Sequence, residues 1–135
     1  MNRIDFVITA IFKATAGFTA LVGNKLFPVG NVPQAENLPN SPFIVYGSET
    51  EPLQDKDGAI TTHVGKFQFD SYGTDQEVLK NITELLESTY QNYSGVVGSI
   101  KVDSFQSLGS VPAEWNTDYQ LFIQSIEFNF WIQQI

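Results

Sequence analysis

Hydrophobic residues recur along this chain with two periods, and the periods divide it into helix, strands, helix and strands. Ile4, Val7, Ile8, Ile11 and Phe12 fall at the i, i+3, i+4, i+7 and i+8 positions of one helical face, with Arg3, Asp5, Thr9 and Lys13 elsewhere. That spacing predicts an amphipathic helix. Phe18 to Val22 predicts a further helical turn, which Gly23 can stop because glycine readily takes the left-handed conformation. Between Gly23 and Pro42 the periodicity lapses, and Pro28, Gly30, Pro33, Pro39 and Pro42 punctuate the chain. A structureless connection of this length is uncommon unless it binds something or covers a surface. Either it faces another molecule or it packs over the protein's own sheet.

Phe43 to Ser48 and Ile60 to Tyr72 read as strands separated by an acidic loop, Glu49 to Gly58. In the second strand Phe67 and Phe69 point one way while Lys66, Gln68 and Asp70 point the other, as in a sheet with one buried face. Gly65 marks a bulge or a close backbone approach. The ten-residue loop is longer than a tight hairpin needs, so its tip, Leu53 to Gly58, is either an arm reaching another molecule or a solvated loop.

Thr74-Asp75-Gln76-Glu77 is a capping-box sequence that should start a helix, with Thr74 bonding the backbone at Glu77. Val78, Ile82, Leu85 and Leu86 form its expected apolar stripe, and Gly95 is available to end the segment. Val96 to Phe105 and Asp118 to Ile132, rich in β-branched and aromatic residues, read as the last strands. In the final one Phe122, Ile126, Phe128, Phe130 and Ile132 share a face, with Leu121, Ile123 and Trp131 on the other. A strand apolar on both sides is central in its fold or covered by a partner. The class expected is α+β in one domain, residues 1–135: a mainly antiparallel sheet of four or more strands, an N-terminal helix, and one long helix packed on one face.

Composition narrows the chemistry. A single domain of 135 residues buries roughly 68 to 70% of the surface its unfolded chain exposes, enough for a core without staples. The absence of cysteine excludes thiol catalysis, disulfides and cysteine-ligated metal sites. Fifteen acidic and seven scattered basic residues, net charge -8, argue against capture of nucleic acid. The run Phe6 to Phe12 followed by Ala14-Thr15-Ala16 has the outline of a signal peptide. Asp5 stands where its positive region should be and Lys13 interrupts the approach to cleavage, so the segment is read as mature helix.

Catalytic motifs are incomplete. The one histidine, His63, lies in an expected strand with no recognisable nucleophile motif around it. Gly58 to Phe67 has the outline of a phosphate loop, but its glycines are two residues too far apart and Phe67 replaces the magnesium-binding hydroxyl. Asp55-Lys56-Asp57-Gly58 suggests a calcium loop, yet lacks another ligand before the glycine and has Val64 where glutamate belongs. Asp70 with Asp75, or Glu84 with Glu87, are carboxylate pairs without a defined partner in catalysis. No enzyme activity, metal or cofactor is expected.

The order of segments carries a resemblance. Leu21-Val-Gly-Asn-Lys-Leu-Phe-Pro28, the connector, Leu38-Pro-Asn-Ser-Pro-Phe-Ile-Val-Tyr-Gly47, Asp57-Gly58, Lys66 to Tyr72 with the helix after it, and the aromatic C-terminal strand follow one another as in the tail-terminator proteins of long-tailed bacteriophages. Relatives of that family sit in prophages and gene transfer agents. The chain resembles them over most of its length. The resemblance implies a virion structural protein at the head-proximal end of the tail, assembled in the host cytoplasm as a hexameric ring. Its implied partners are the tail tube protein and a head-completion protein, with DNA passing through the ring without specific binding and no membrane. Leu53, Gln54, Asp55 and Asp57 in the arm, Pro33 in the connector and Trp131 in the last strand are the expected partner-contact residues. The competing expectation is a small acidic ligand- or peptide-binding α+β module with its pocket beside the proline-rich connector.

Overall fold

The computed structural model describes residues 3–29, 42–54 and 60–134, and the side chains of all of these except 3, 52–54, 60 and 61. Helices α1 (Arg3–Ala14) and α2 (Ala16–Val22) are followed by strands β1 (Leu26–Pro28), β2 (Phe43–Gln54) and β3 (Ile60–Gly73). Helix α3 (Gln76–Tyr90) then leads to β4 (Gly95–Val97), β5 (Ile100–Ser110), β6 (Glu114–Asn116) and β7 (Leu121–Gln134). The strands form one sheet in the order β1-β2-β3-β7-β5-β4, with β6 also on β7. Every pairing is antiparallel except β1 with β2. The α+β, mainly antiparallel architecture is as the sequence predicts.

β7 is the centre of the sheet. One of its edges pairs with β3; the other pairs with β5 along Ile126 to Gln134 and with β6 along Leu121 to Ile123. Its two-sided apolarity therefore has an internal explanation for most residues. Ile126, Phe128, Phe130 and Ile132 face the helices, while Leu121 joins Phe43 and Val45 in a small cluster backed by Phe27 and Tyr72. Trp131 remains 44% exposed.

The main core lies between the sheet and the helices. Ile4, Val7 and Ile8 of α1 and Phe18 of α2 are fully buried in it, as their spacing requires. The Phe67 ring stacks on Phe128 with centroids 5.0 Å apart and meets Phe105 edge-on at 4.9 Å. Tyr90, at the end of α3, donates its hydroxyl to the Ile8 carbonyl at 2.8 Å and ties that helix to α1. Burial, then the neighbouring Tyr93, pushes its phenol pKa far up.

Gly23 ends α2 as expected, but at φ 61 and ψ -127, a positive-φ conformation open to glycine rather than the left-handed helical one. Gly65 marks a close approach: a Cβ there would lie 1.9 Å from the Glu49 carbonyl oxygen. The register shifts fall elsewhere, at Leu53/Gln54, Val102/Ser104 and Ser107/Gly109.

Several expectations need correction. Glu49 to Gln54 is not loop but the second half of β2, paired with β3 as far as Ile60, with Glu49 facing Lys66 across the ladder. Leu26–Pro28, inside the expected connector, is a parallel strand. The helix cap is Asp75, whose carboxylate accepts from the Glu77 backbone N–H at 2.9 Å, rather than Thr74. The buried face of α3 is Leu79, Ile82, Thr83, Leu86 and Tyr90, turned from the expected stripe, with Val78 and Leu85 only partly buried. Gly95 opens β4 instead of ending α3, which stops at Tyr90. Val96 to Phe105 is a hairpin turning at Gly98, φ 60, not one strand. No single helix among the described residues is long and apolar enough to cross a membrane.

Candidate functional site

With the helices on one side, strand alternation leaves the opposite sheet face as the largest organised surface without a helical cover. Its centre is polar because β2, β3 and β7 each place hydrophilic residues there in register. Gly47, Gln68 and Glu127 align across the three strands, as do Glu49, Lys66 and Asn129, and Val45, Asp70 and Ser125.

These residues bond to one another. Asp70 accepts from the Gln68 amide at 2.8 Å and from the Ser125 hydroxyl across the ladder. Lys66 and Glu127 approach to 3.6 Å with both side chains solvated, a pair that contributes about 0–1 kcal/mol. Farther out, Gln133 donates to Asp103 at 2.7 Å, and Lys101 stands 3.6 Å from the same carboxylate. Partial burial first, then Asp70 and Tyr119, raises the Tyr72 phenol pKa.

Apolar groups rim this polar centre. At one end the exposed Trp131 aligns with Val64 and Ser104 over an open groove of about 460 Å³ that also takes in Asn129 and Gln106. At the other, Leu108 and Val111 lie exposed beside Ser125 and Glu127, and Tyr119 sets its ring edge-on to Tyr72 at 5.7 Å. A second open groove, about 450 Å³, runs from Val29 past Gly47 and Glu49 to Lys66, Gln68 and Glu127. Its lining mixes polar and apolar surface.

The expected contact residues are placed unevenly. Trp131 sits on the open face. Leu53 and Gln54 are the last residues of β2, paired with Thr62 and Ile60, at the same end of the sheet as Trp131, since Thr62 pairs on its other side with Gln133. Their side chains, and Pro33, Asp55 and Asp57 altogether, lie outside the described residues.

The motif fragments have structural positions. From Ile60 onward the stretch with the outline of a phosphate loop is strand β3. His63 stands opposite Pro52 and Ile132, on the other side of the sheet from Ser125. Asp70 belongs to the open-face network, and Asp75 caps α3. Among the described residues no group of three His, Cys, Asp or Glu is placed to hold a metal ion. What this arrangement offers is a broad, polar-centred surface with aromatic and aliphatic margins, suited to contact with another macromolecule. The Asp70–Ser125 contact escaped the sequence reading because strands distant in the chain bring it together; strict alternation around Asp70 and Ser125 was its only signal.

No protein-family model and no curated protein matches this chain. Among solved structures, a chain in the virion of a native gene transfer agent particle has a similar fold: TM-score 0.73 at 16% sequence identity, covering 93% of this chain and 91% of that one.

Proposed function

We propose that this chain is a tail-terminator-type structural protein of a phage, prophage or gene transfer agent particle, which caps the tail tube as a hexameric ring and joins tail to head. The observation that carries the reading is the fold shared, nearly end to end in both chains, with a component of a gene transfer agent virion. The order of segments from Leu21 to the C-terminal strand supports the finer assignment. The mechanism is geometric. One side of the ring complements the last ring of tube subunits; the other presents a surface that further tube subunits cannot use, so complementarity and exclusion act together. The net charge of -8 suits a passage through which DNA slides without sticking. On the open sheet face, Trp131 has the character of an interface anchor, since exposed tryptophan is enriched among residues that dominate binding energy.

A second reading, a small acidic ligand- or peptide-binding module, is supported by the groove that starts at Val29, whose volume falls in the usual range for ligand sites. Mass measurement over a range of concentrations, alone and with tail tube protein, separates the two. A tail terminator forms a closed ring of six copies, by itself or on the tube. A chain that stays monomeric under every condition, with or without tube protein, refutes the ring.

A further inference from the structure

We infer that the first half of α3, from Gln76 to Thr83, is a hinged segment that opens away from the sheet by itself while the second half of the helix stays locked. Three polar side chains are buried among the described residues, Ser71, Thr83 and Gln124, and they meet in one place. Ser71 and Gln124 are cross-strand partners on the helical side of β3 and β7. Helix α3 runs back along β3: a Cβ on Gly73 would lie 3.1 Å from the Leu79 side chain, and the Tyr90 ring lies 5.0 Å from that of Phe69. Thr83 falls between Leu79 and Tyr90 on the buried face of the helix, so it stands over Ser71, which falls between Gly73 and Phe69 on the strand. Both hydroxyls are shut away from solvent, and neither has a hydrogen-bond partner in the closed molecule. Buried hydroxyls are ordinarily bonded, and a threonine inside a helix normally bonds back to the preceding turn.

The two halves of the helix are held unequally. At the C-terminal end Tyr90 packs among the rings of Phe67, Phe69, Phe105 and Phe128 and donates to the Ile8 carbonyl, and the Asn92 amide just beyond it donates to the Phe105 carbonyl at 3.0 Å. Among the described residues no hydrogen bond or ion pair joins residues 76–83 to another element; the apolar side chains of Val78, Leu79 and Ile82 hold this half to the core. Burying Leu79 and Ile82 favours closure on the order of a thousandfold. The two hydroxyls closed off without partners take back on the order of a hundredfold. An open groove of about 410 Å³ between this half of α3 and the Ser110–Ala113 link brings water to its flank. Opening hydrates both hydroxyls and uncovers Leu79 and Ile82, an apolar surface that the closed molecule does not present.

Native-state hydrogen exchange of the full-length chain over a range of subdenaturing urea concentrations tests the hinge. The expected result is that the amides of Lys80 to Thr83 exchange about tenfold or more faster than those of Phe67, Phe69 and Phe128, with a smaller urea dependence, because local opening exposes less surface than global unfolding. Thr83→Val removes one unsatisfied hydroxyl without changing side-chain shape and should slow exchange of the Lys80 to Thr83 amides about tenfold; Ser71→Ala should do the same. Exchange of this half of α3 and of the strands at one rate with one urea dependence overturns the proposal. Faster exchange in either variant also overturns it, since the hydroxyl would then be bonded in the closed state. An unchanged rate in either variant does so too, since the hydroxyls would then not set the opening.

Discussion

Replacing Phe67 by alanine removes the hub of the aromatic core. The side chain is 1% exposed, and its ring lies 4.9 to 6.1 Å from those of Phe69, Tyr90, Phe105, Phe128 and Phe130. Transfer of a phenylalanine side chain out of water is worth about 1.5–3 kcal/mol. The cavity left behind raises the usual cost of Phe→Ala to about 3–5 kcal/mol. Aromatic pairs add about 0.5–1.5 kcal/mol each beyond area, without summing fully, so Phe67→Ala belongs near the top of that range, about 4–5 kcal/mol. For a domain of this size that loss lowers the melting temperature on the order of 15 °C. The neighbouring residue is the control: Gln68 is exposed on the open face, and losing its 2.8 Å bond to Asp70 costs about 1 kcal/mol or less. Urea melts of both variants, compared at a common slope, give the two values. Equal losses, or a larger loss for Gln68→Ala, would show that the helices cover the other face of the sheet.

Gly65→Ala forces a Cβ onto the Glu49 carbonyl and should cost about 3 kcal/mol in the same melts, far more than alanine at an open glycine. Asp75→Ala should lose about 1 kcal/mol, the worth of an N-cap, while Thr74→Ala stays near wild type; the opposite ranking would restore the capping box. Trp131→Ala should cost the isolated chain less than about 1 kcal/mol, because the side chain is 44% exposed, yet weaken ring formation measured by sedimentation. Duplex DNA titrated at physiological salt should show no appreciable binding by anisotropy; sub-micromolar affinity would contradict the charge argument.

Segments with a strong period were legible in the sequence. The α1 stripe and the alternation around Phe67 and Phe69 follow from burial of one face, which the residue pattern records directly, while the last strand's apolarity on both sides left a central place or a covering partner as its two explanations. What was missed depended on partners distant in the chain. Leu26–Pro28 is too short to show a period and exists as a strand because β2 supplies its hydrogen bonds. The acidic Glu49–Gln54 segment looked like a loop by composition, but β3 lies alongside it with Lys66 opposite Glu49. The α3 stripe was misplaced because Thr83, polar by type, is buried, while Leu85, apolar by type, is only partly so. Two cap-competent residues in succession, Thr74 and Asp75, left the helix start ambiguous by one position. Of the expected contact residues, Trp131 was legible because an outward tryptophan breaks the alternation of a strand.

The most direct test of the central claim is electron microscopy of particles produced after deletion of the coding sequence from its phage, prophage or gene transfer agent, with and without the chain supplied in trans. Filled heads and unjoined tails of irregular length are expected in the deletion, and joined particles of uniform length on complementation. Joined particles of normal length and yield without the chain would contradict it.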